Sequence, residues 1–205
     1  LSPNWFPATF LYSRYVWFII PYPLVIVKKL VINPINGDIK KYNIPSIFLA
    51  DGPHGIRKQV AAADHLGLNE STKATCFPTA SALASSWNIE LANRVGIALG
   101  KEARHQDVNV LLGPGMNTKR NVLCGRNFEY FSEDPYLAGK VAANMVTGIQ
   151  QSGVSACIKH FACNSQEYRR MNCDSVVDER ALRELYLTNF EIAIKEGKPN
   201  CIMSS

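Results

Sequence analysis

Short apolar runs alternate with longer stretches of helical spacing along this chain. Ser46-Ile47-Phe48-Leu49-Ala50 predicts a buried strand that ends in Asp51-Gly52-Pro53-His54-Gly55, a turn-rich loop. From Asn88 to about Glu102, Leu91, Val95, Ala98 and Leu99 share one helical face, and Asn88 is suited to cap it. Val108 to Leu112 predicts a second strand, broken by Gly113-Pro114-Gly115. A further helix starts where Asp134 can cap and Pro135 fits the first position. Leu137, Val141, Met145 and Ile149 then recur every fourth residue until Gly153. Ser155 to Ile158 predicts a strand running into Lys159 and His160. The last helix begins near Asp178, with Leu182, Leu185, Phe190 and Ala193 on its apolar side, and Cys201-Ile202-Met203 opens a final strand.

Strand, loop, helix and strand in this order predict parallel βα units rather than a meander or a bundle. The polar motifs fall just after the strands, the edge where a (β/α)8 barrel builds its active site. A complete barrel takes about 250 residues. The expectation is therefore an α/β fold of TIM-barrel type, present as an incomplete N-terminal portion over residues 34–205.

Residues 1–33 stand apart. Trp5 to Val27 is aromatic and aliphatic and is followed by Lys28 and Lys29. Arg14, Pro21 and Pro23 make it a poor membrane span. Basic residues after the apolar run, and no small-residue cleavage site, make it a poor secretion signal. It receives no function, and the expected compartment is the cytoplasm.

Composition narrows the chemistry. With 205 residues, 47% hydrophobic and 19% charged, the chain can bury a core and is not of disordered type. Its net charge of +5 is scattered, with no basic stripe interleaved with aromatics, so nucleic acid is not an expected partner. Cys76, Cys124, Cys157, Cys163, Cys173 and Cys201 form no C-x-x-C pair, and the histidines have no metal-ligand spacing, so no metal or other cofactor is expected. Reduced, mostly buried thiols are the simplest reading, although the even count leaves disulfides open.

Three stretches carry a family resemblance. The first is Asp51-Gly52-Pro53-His54-Gly55-Ile56-Arg57. The second is Leu112-Gly113-Pro114-Gly115-Met116-Asn117 with the long run from Cys124-Gly125-Arg126-Asn127-Phe128-Glu129-Tyr130 to Asp134-Pro135. The third is Lys159-His160-Phe161 with Asn164, Gln166-Glu167, Arg170-Met171 and Asp178 to Glu184. In order and spacing they resemble the family 3 glycoside hydrolases, of β-glucosidase type, from about residue 43 to the last residue. Ile202-Met203-Ser204-Ser205 resembles the start of that family's next strand.

The resemblance implies retaining hydrolysis of terminal β-D-glucosyl or related residues, with a β-glucoside or oligosaccharide as substrate. It implies that Asp51 accepts hydrogen bonds from ring hydroxyls far from the anomeric carbon. Arg126, Lys159, His160 and Arg170 would donate to hydroxyls or position carboxylates. Carboxylates and rigid cations are the groups suited to grip a ring of hydroxyls. Read without the family, Asp51 is a turn residue, Arg126 and Arg170 are solvated cations, and Lys159-His160 is structural. His54 and His105 receive no role. Glu129, Glu133 and Asp134 read as loop-shaping and capping residues.

Retaining chemistry needs two carboxyl groups about 5–5.5 Å apart. The family's nucleophile lies in a Ser-Asp-Trp motif that does not occur here, and its acid/base glutamate lies farther downstream. Asp51 with Glu129 or Glu167 is a conceivable pair, but the family pattern argues against it. No catalytic residue is therefore assigned, and the chain alone is expected to bind sugar without cleaving it. The Ala162-Cys163-Asn164-Ser165-Gln166-Glu167 stretch departs from the N-acetylglucosaminide-cleaving branch and points to the glucoside and xyloside side. A non-catalytic sugar-binding or scaffold half-barrel is the alternative. A phosphate-binding barrel is disfavoured because Pro114 removes a donor from the one glycine-rich turn.

Overall fold

A computed structural model describes residues 40–60 and 70–205. The N-terminal segment set apart above, residues 1–33, lies outside the described residues.

Four strands, β1 (Leu49–Asp51), β2 (Val110–Leu112), β3 (Ser155–Phe161) and β4 (Cys201–Ser204), form one sheet in the order β1-β2-β3-β4. Every pairing is parallel, with Leu49 opposite Val110, Val110 opposite Ser155, and Cys157 opposite Cys201. Helices α1 (Ala80–Ser85), α2 (Ile89–His105), α3 (Pro135–Gln151), α4 (Glu179–Ala181) and α5 (Thr188–Ile192) fill the crossovers. This is an α/β fold of consecutive βα units, a portion of a (β/α)8 barrel. Among the described residues no helix is long and apolar enough to cross a membrane.

Strand periodicity divides the side chains between two faces. Ala50, Leu111, Ala156 and Ile158 join the main core against the helices. Leu49, Val110, Cys157 and Cys201 form a second cluster on the opposite face, with Ile47, Leu112 and Met203 packed on it. By the same alternation Asp51 follows Leu49, and Lys159 follows Cys157, to the exits of their strands.

The strands sit differently from their predicted bounds. The ladder to β2 starts only at Leu49, because Phe48 N–H donates instead to Asn109 Oδ1 at 2.7 Å. β1 therefore begins late and takes in Asp51, while β3 runs on through Lys159 and His160.

Helix starts follow the predicted caps. Asn88 Oδ1 accepts from Leu91 N–H at 2.8 Å, and Asp134 Oδ1 accepts from Tyr136 N–H at 2.8 Å ahead of Pro135. On α3, Val141, Met145 and Ile149 are buried as the spacing predicts, and Leu137 packs beside them. On α2 the apolar face needs a correction, since Ala98 is exposed and the buried stripe is Ala92, Gly96, Leu99, Gly100 and Ala103. The reason is how closely α2 and α3 approach. A Cβ added at Gly96 would stand 2.4 Å from the Met145 carbonyl oxygen, so small residues set the contact.

The last predicted helix is not one regular helix. Wide π turns at Leu182–Tyr186 and Ala193–Gly197 flank α5. Leu187 N–H reaches back five residues to the Leu182 carbonyl at 2.9 Å. The Thr188 hydroxyl then donates to the carbonyls of Arg183 and Glu184, at 2.8 and 2.9 Å, which supports the widened turn.

Candidate functional site

The loop after β1 is shaped by its glycines. Gly52 has φ of +136°, and a Cβ there would lie 1.9 Å from the Gly55 carbonyl oxygen, so no other residue fits. Arg57 N–H closes the loop on the Asp51 carbonyl at 2.8 Å. These restraints leave the Asp51 carboxylate standing at the strand exit.

Lys159 reaches it from β3. Its Nζ lies 2.6 Å from Asp51 Oδ1 and 3.6 Å from Glu129 Oε2. The Lys159 side chain is 2% exposed and that of Glu129 5%, whereas 45% of the Asp51 side chain is open to solvent. Glu129 also pairs with Arg126 Nε, which lies 4.0 Å from Glu167 Oε1. Glu167 in turn holds Arg170 at 3.0 Å. The result is one chain of alternating charges: Asp51, Lys159, Glu129, Arg126, Glu167, Arg170.

Burial acts to raise the pKa of Asp51. The Lys159 ammonium, the Gly52 backbone N–H and the Arg126 guanidinium outweigh it, so the carboxyl is held below its ordinary range. Burial likewise works against the Arg126 charge, and the Glu129 carboxylate overcomes it, raising the guanidinium pKa.

His160 is held differently. Asn117 clamps its backbone from both sides: His160 N–H donates to Asn117 Oδ1 at 2.7 Å, and Asn117 Nδ2 donates to the His160 carbonyl at 2.8 Å. The Asn189 amide donates to the Met116 carbonyl, and Met116 N–H donates to the Lys159 carbonyl at 2.7 Å. His160 Nδ1 lies 2.8 Å from the Tyr130 hydroxyl, which accepts from Asn164 Nδ2 at 2.8 Å. Asn164 also donates to Glu167 Oε1 at 2.9 Å. Burial, then the charges of Arg126, Lys159 and Arg170, push the imidazole pKa down to about 2, so His160 is neutral. Burial pushes the Tyr130 phenol up, keeping it protonated.

Asp51, Arg126, Lys159, His160 and Arg170 thus belong to one connected network of ion pairs and hydrogen bonds. Arg170 is its outermost member, 51% exposed and turned to Glu167, while Arg169 lies over the Tyr168 ring. Sequence reasoning underrated three members. Glu129 is a buried link between two cations rather than a loop-shaping residue. Tyr130 and Asn164 connect His160 to Glu167. Their signal was present in the long Cys124–Asp134 run and in the residues after Lys159, but no spacing rule assigns a contact across separate loops.

Parallel strands whose exits present carboxylates and cations to one another are what a portion of a (β/α)8 barrel shows at the edge where such barrels build their sites. Comparison with known proteins gives the family: residues 36–205 match the glycosyl hydrolase family 3 N terminal domain, and the chain belongs to that family. Thermostable beta-glucosidase B of Acetivibrio thermocellus is 55% identical over 165 residues, 80% of this chain and 22% of that protein. An exo-alpha-(1->6)-L-arabinopyranosidase of Bifidobacterium longum is 49% identical over 168 residues, 82% of this chain and 22% of that protein. Among solved structures, beta-glucosidase 3B of Thermotoga neapolitana in complex with glucose superposes with a TM-score of 0.76 at 49% identity, covering 83% of this chain and 23% of that one. The chain therefore spans about a fifth of the length of the relatives it matches.

Proposed function

We propose that this chain forms the hydroxyl-gripping part of a retaining glycoside hydrolase site for terminal β-D-glucosyl or closely related residues. The observation that carries the reading is the Lys159 ammonium, buried between Asp51 and Glu129 at 2.6 and 3.6 Å. A buried cation with two carboxylates holds Asp51 ionised, and an ionised carboxylate accepts two sugar hydroxyls at once. Arg126, Arg170 and the neutral His160 supply the donors and acceptors around it. The substrate class is supported by the beta-glucosidases among its relatives, and the L-arabinopyranosidase shows that related chains serve other pyranoses.

Asp51 is the ring-holding carboxylate and not the nucleophile. Its lowered pKa suits a permanent acceptor, and Glu129 and Glu167 are each tied up in ion pairs with cations. The nucleophile and the acid/base belong to the part of the family's length that these residues do not span. The test is a paired assay of the isolated chain. Glucose should bind saturably, and binding should be lost on Asp51→Asn, with no turnover of an aryl β-glucoside. Turnover that disappears on Asp51→Asn would overturn the assignment of roles.

A further inference from the structure

Tyr130 is buried between His160 and Asn164, and its hydroxyl has two partners among the described residues. His160 Nδ1 stands 2.8 Å away on one side and Asn164 Nδ2 2.8 Å away on the other. The same Asn164 Nδ2 reaches Glu167 Oε1 at 2.9 Å, and Glu167 Oε2 is held by Arg170 Nη1 at 3.0 Å. Three hydrogen bonds therefore connect the Glu167 carboxylate to the His160 ring. His160 Nε2 has no partner among the described residues and is not one of their buried, unpartnered polar atoms. It is the ring nitrogen left to meet a ligand.

Each link in this chain has one direction. A carboxylate paired with a guanidinium only accepts, so Asn164 must turn its amide nitrogen, not its oxygen, toward Glu167. An amide nitrogen only donates, so the Tyr130 oxygen accepts from it. The single hydroxyl proton of Tyr130 is then given to His160 Nδ1, and a ring nitrogen that accepts carries no proton. A neutral imidazole holds one proton, which must therefore sit on Nε2. The low pKa of the ring agrees with this. An imidazolium would present Nδ1–H to a hydroxyl already taking a hydrogen from Asn164.

We propose that Glu167, acting through Asn164 and Tyr130, fixes the His160 proton on Nε2 and so makes His160 a hydrogen-bond donor to the ligand. Tyr130, Asn164 and Glu167 are then positioning residues, a role that rests on the hydroxyl-gripping reading of the site. A sugar hydroxyl that accepts from Nε2–H keeps its own proton for a carboxylate, and Asp51 is ionised to receive one. The opposite tautomer would present a bare Nε2 and compete with Asp51 for that proton.

The experiment is long-range proton–nitrogen correlation NMR of the full chain with nitrogen-labelled histidine, at neutral pH and without sugar. The His160 signals are assigned by their loss in His160→Gln, and circular dichroism checks the fold of each variant. The unaltered chain should show a protonated Nε2 and a bare Nδ1. Asn164→Asp replaces the donor facing Tyr130 by an acceptor, so the Tyr130 proton turns away from the ring and the His160 proton should move to Nδ1. Glu167→Gln, whose amide can serve Asn164 in either orientation, should give both tautomers. A protonated Nδ1 or averaged signals in the unaltered chain would overturn the proposal, whatever the variants do. So would an unmoved proton in folded Asn164→Asp, or a single unchanged tautomer in folded Glu167→Gln, which is all that a merely structural role predicts. Glucose is then added. The Nε2 signal should shift, and Asn164→Asp should weaken binding about tenfold, as for one hydrogen bond lost. Glucose bound with the Nε2 signal unmoved would overturn the donor role. The expected tautomer in a folded chain that binds no glucose would instead uphold the relay and refute the hydroxyl-gripping reading.

Discussion

Lys159→Met deletes the buried ammonium while keeping an unbranched apolar side chain in its place. Glu129, 5% exposed, then retains Arg126 as its partner, and Asp51 is left to solvent through its 45% open side chain. Removing one member of a fully buried pair costs about 3–5 kcal/mol. The surviving Arg126 contact and the screening at Asp51 reduce this to about 2 kcal/mol, within the range of about 1.5–3 for hydrogen bonds to charged groups. With a urea slope of about 2 kcal/mol per M, the unfolding midpoint should fall by about 1 M. A double-mutant cycle with Asp51→Asn should give a coupling of at least about 0.5 kcal/mol. Acid supplies a check on sign. The folded pKa of Asp51 lies below its ordinary value of 3.8, so its contribution is complete above that pH and is lost as the pH falls below it. Lys159→Met should flatten that acid loss. An unchanged urea midpoint, or strictly additive single effects, would refute the reasoning.

Other expectations follow from the same geometry. His160, with its pKa lowered from 6.5 to about 2, takes up no proton where the unfolded chain does. Stability should therefore decline as pH falls from 6.5, by up to about 1.4 kcal/mol per unit, while the His160 ring resonance stays flat between pH 8 and 4. A ring titrating near 6.5 would contradict this. Asn117→Ala removes both clamps on the His160 backbone and should cost about 2 kcal/mol by urea unfolding, as for a buried hydrogen-bonded group left unpaired. Gly52→Ala forces a Cβ to within 1.9 Å of the Gly55 carbonyl, and should abolish glucose binding while leaving the far-ultraviolet circular dichroism of the sheet and helices in place.

Local rules carried much of this fold. Asn88 and Asp134 cap where their short acceptor side chains sit before apolar periodicity, because a cap is decided within one turn of chain. The order of strands and helices likewise follows from changes of period. Ala98 defeated the periodicity argument because the α2–α3 contact is set by how closely glycines such as Gly96 let α2 approach the backbone of α3, which is not a local property. The π turns beside α5 escaped for a related reason, since a regular helical pattern carries no mark of a widened turn. At the site, Asp51, Arg126, Lys159, His160 and Arg170 were named through motif resemblance. The linking role of Glu129 depends on residues 30 and 78 positions away meeting at strand exits, and only the tertiary structure supplies that.

The central claim is that these strand-exit groups hold a pyranose together. Nitrogen-resolved NMR of the chain, titrated with glucose, reads it most directly through the Lys159 ammonium and the Arg126 guanidinium. Saturable shifts of both signals, abolished by Asp51→Asn, are the predicted result. A folded chain in which neither signal moves at saturating sugar would contradict the account.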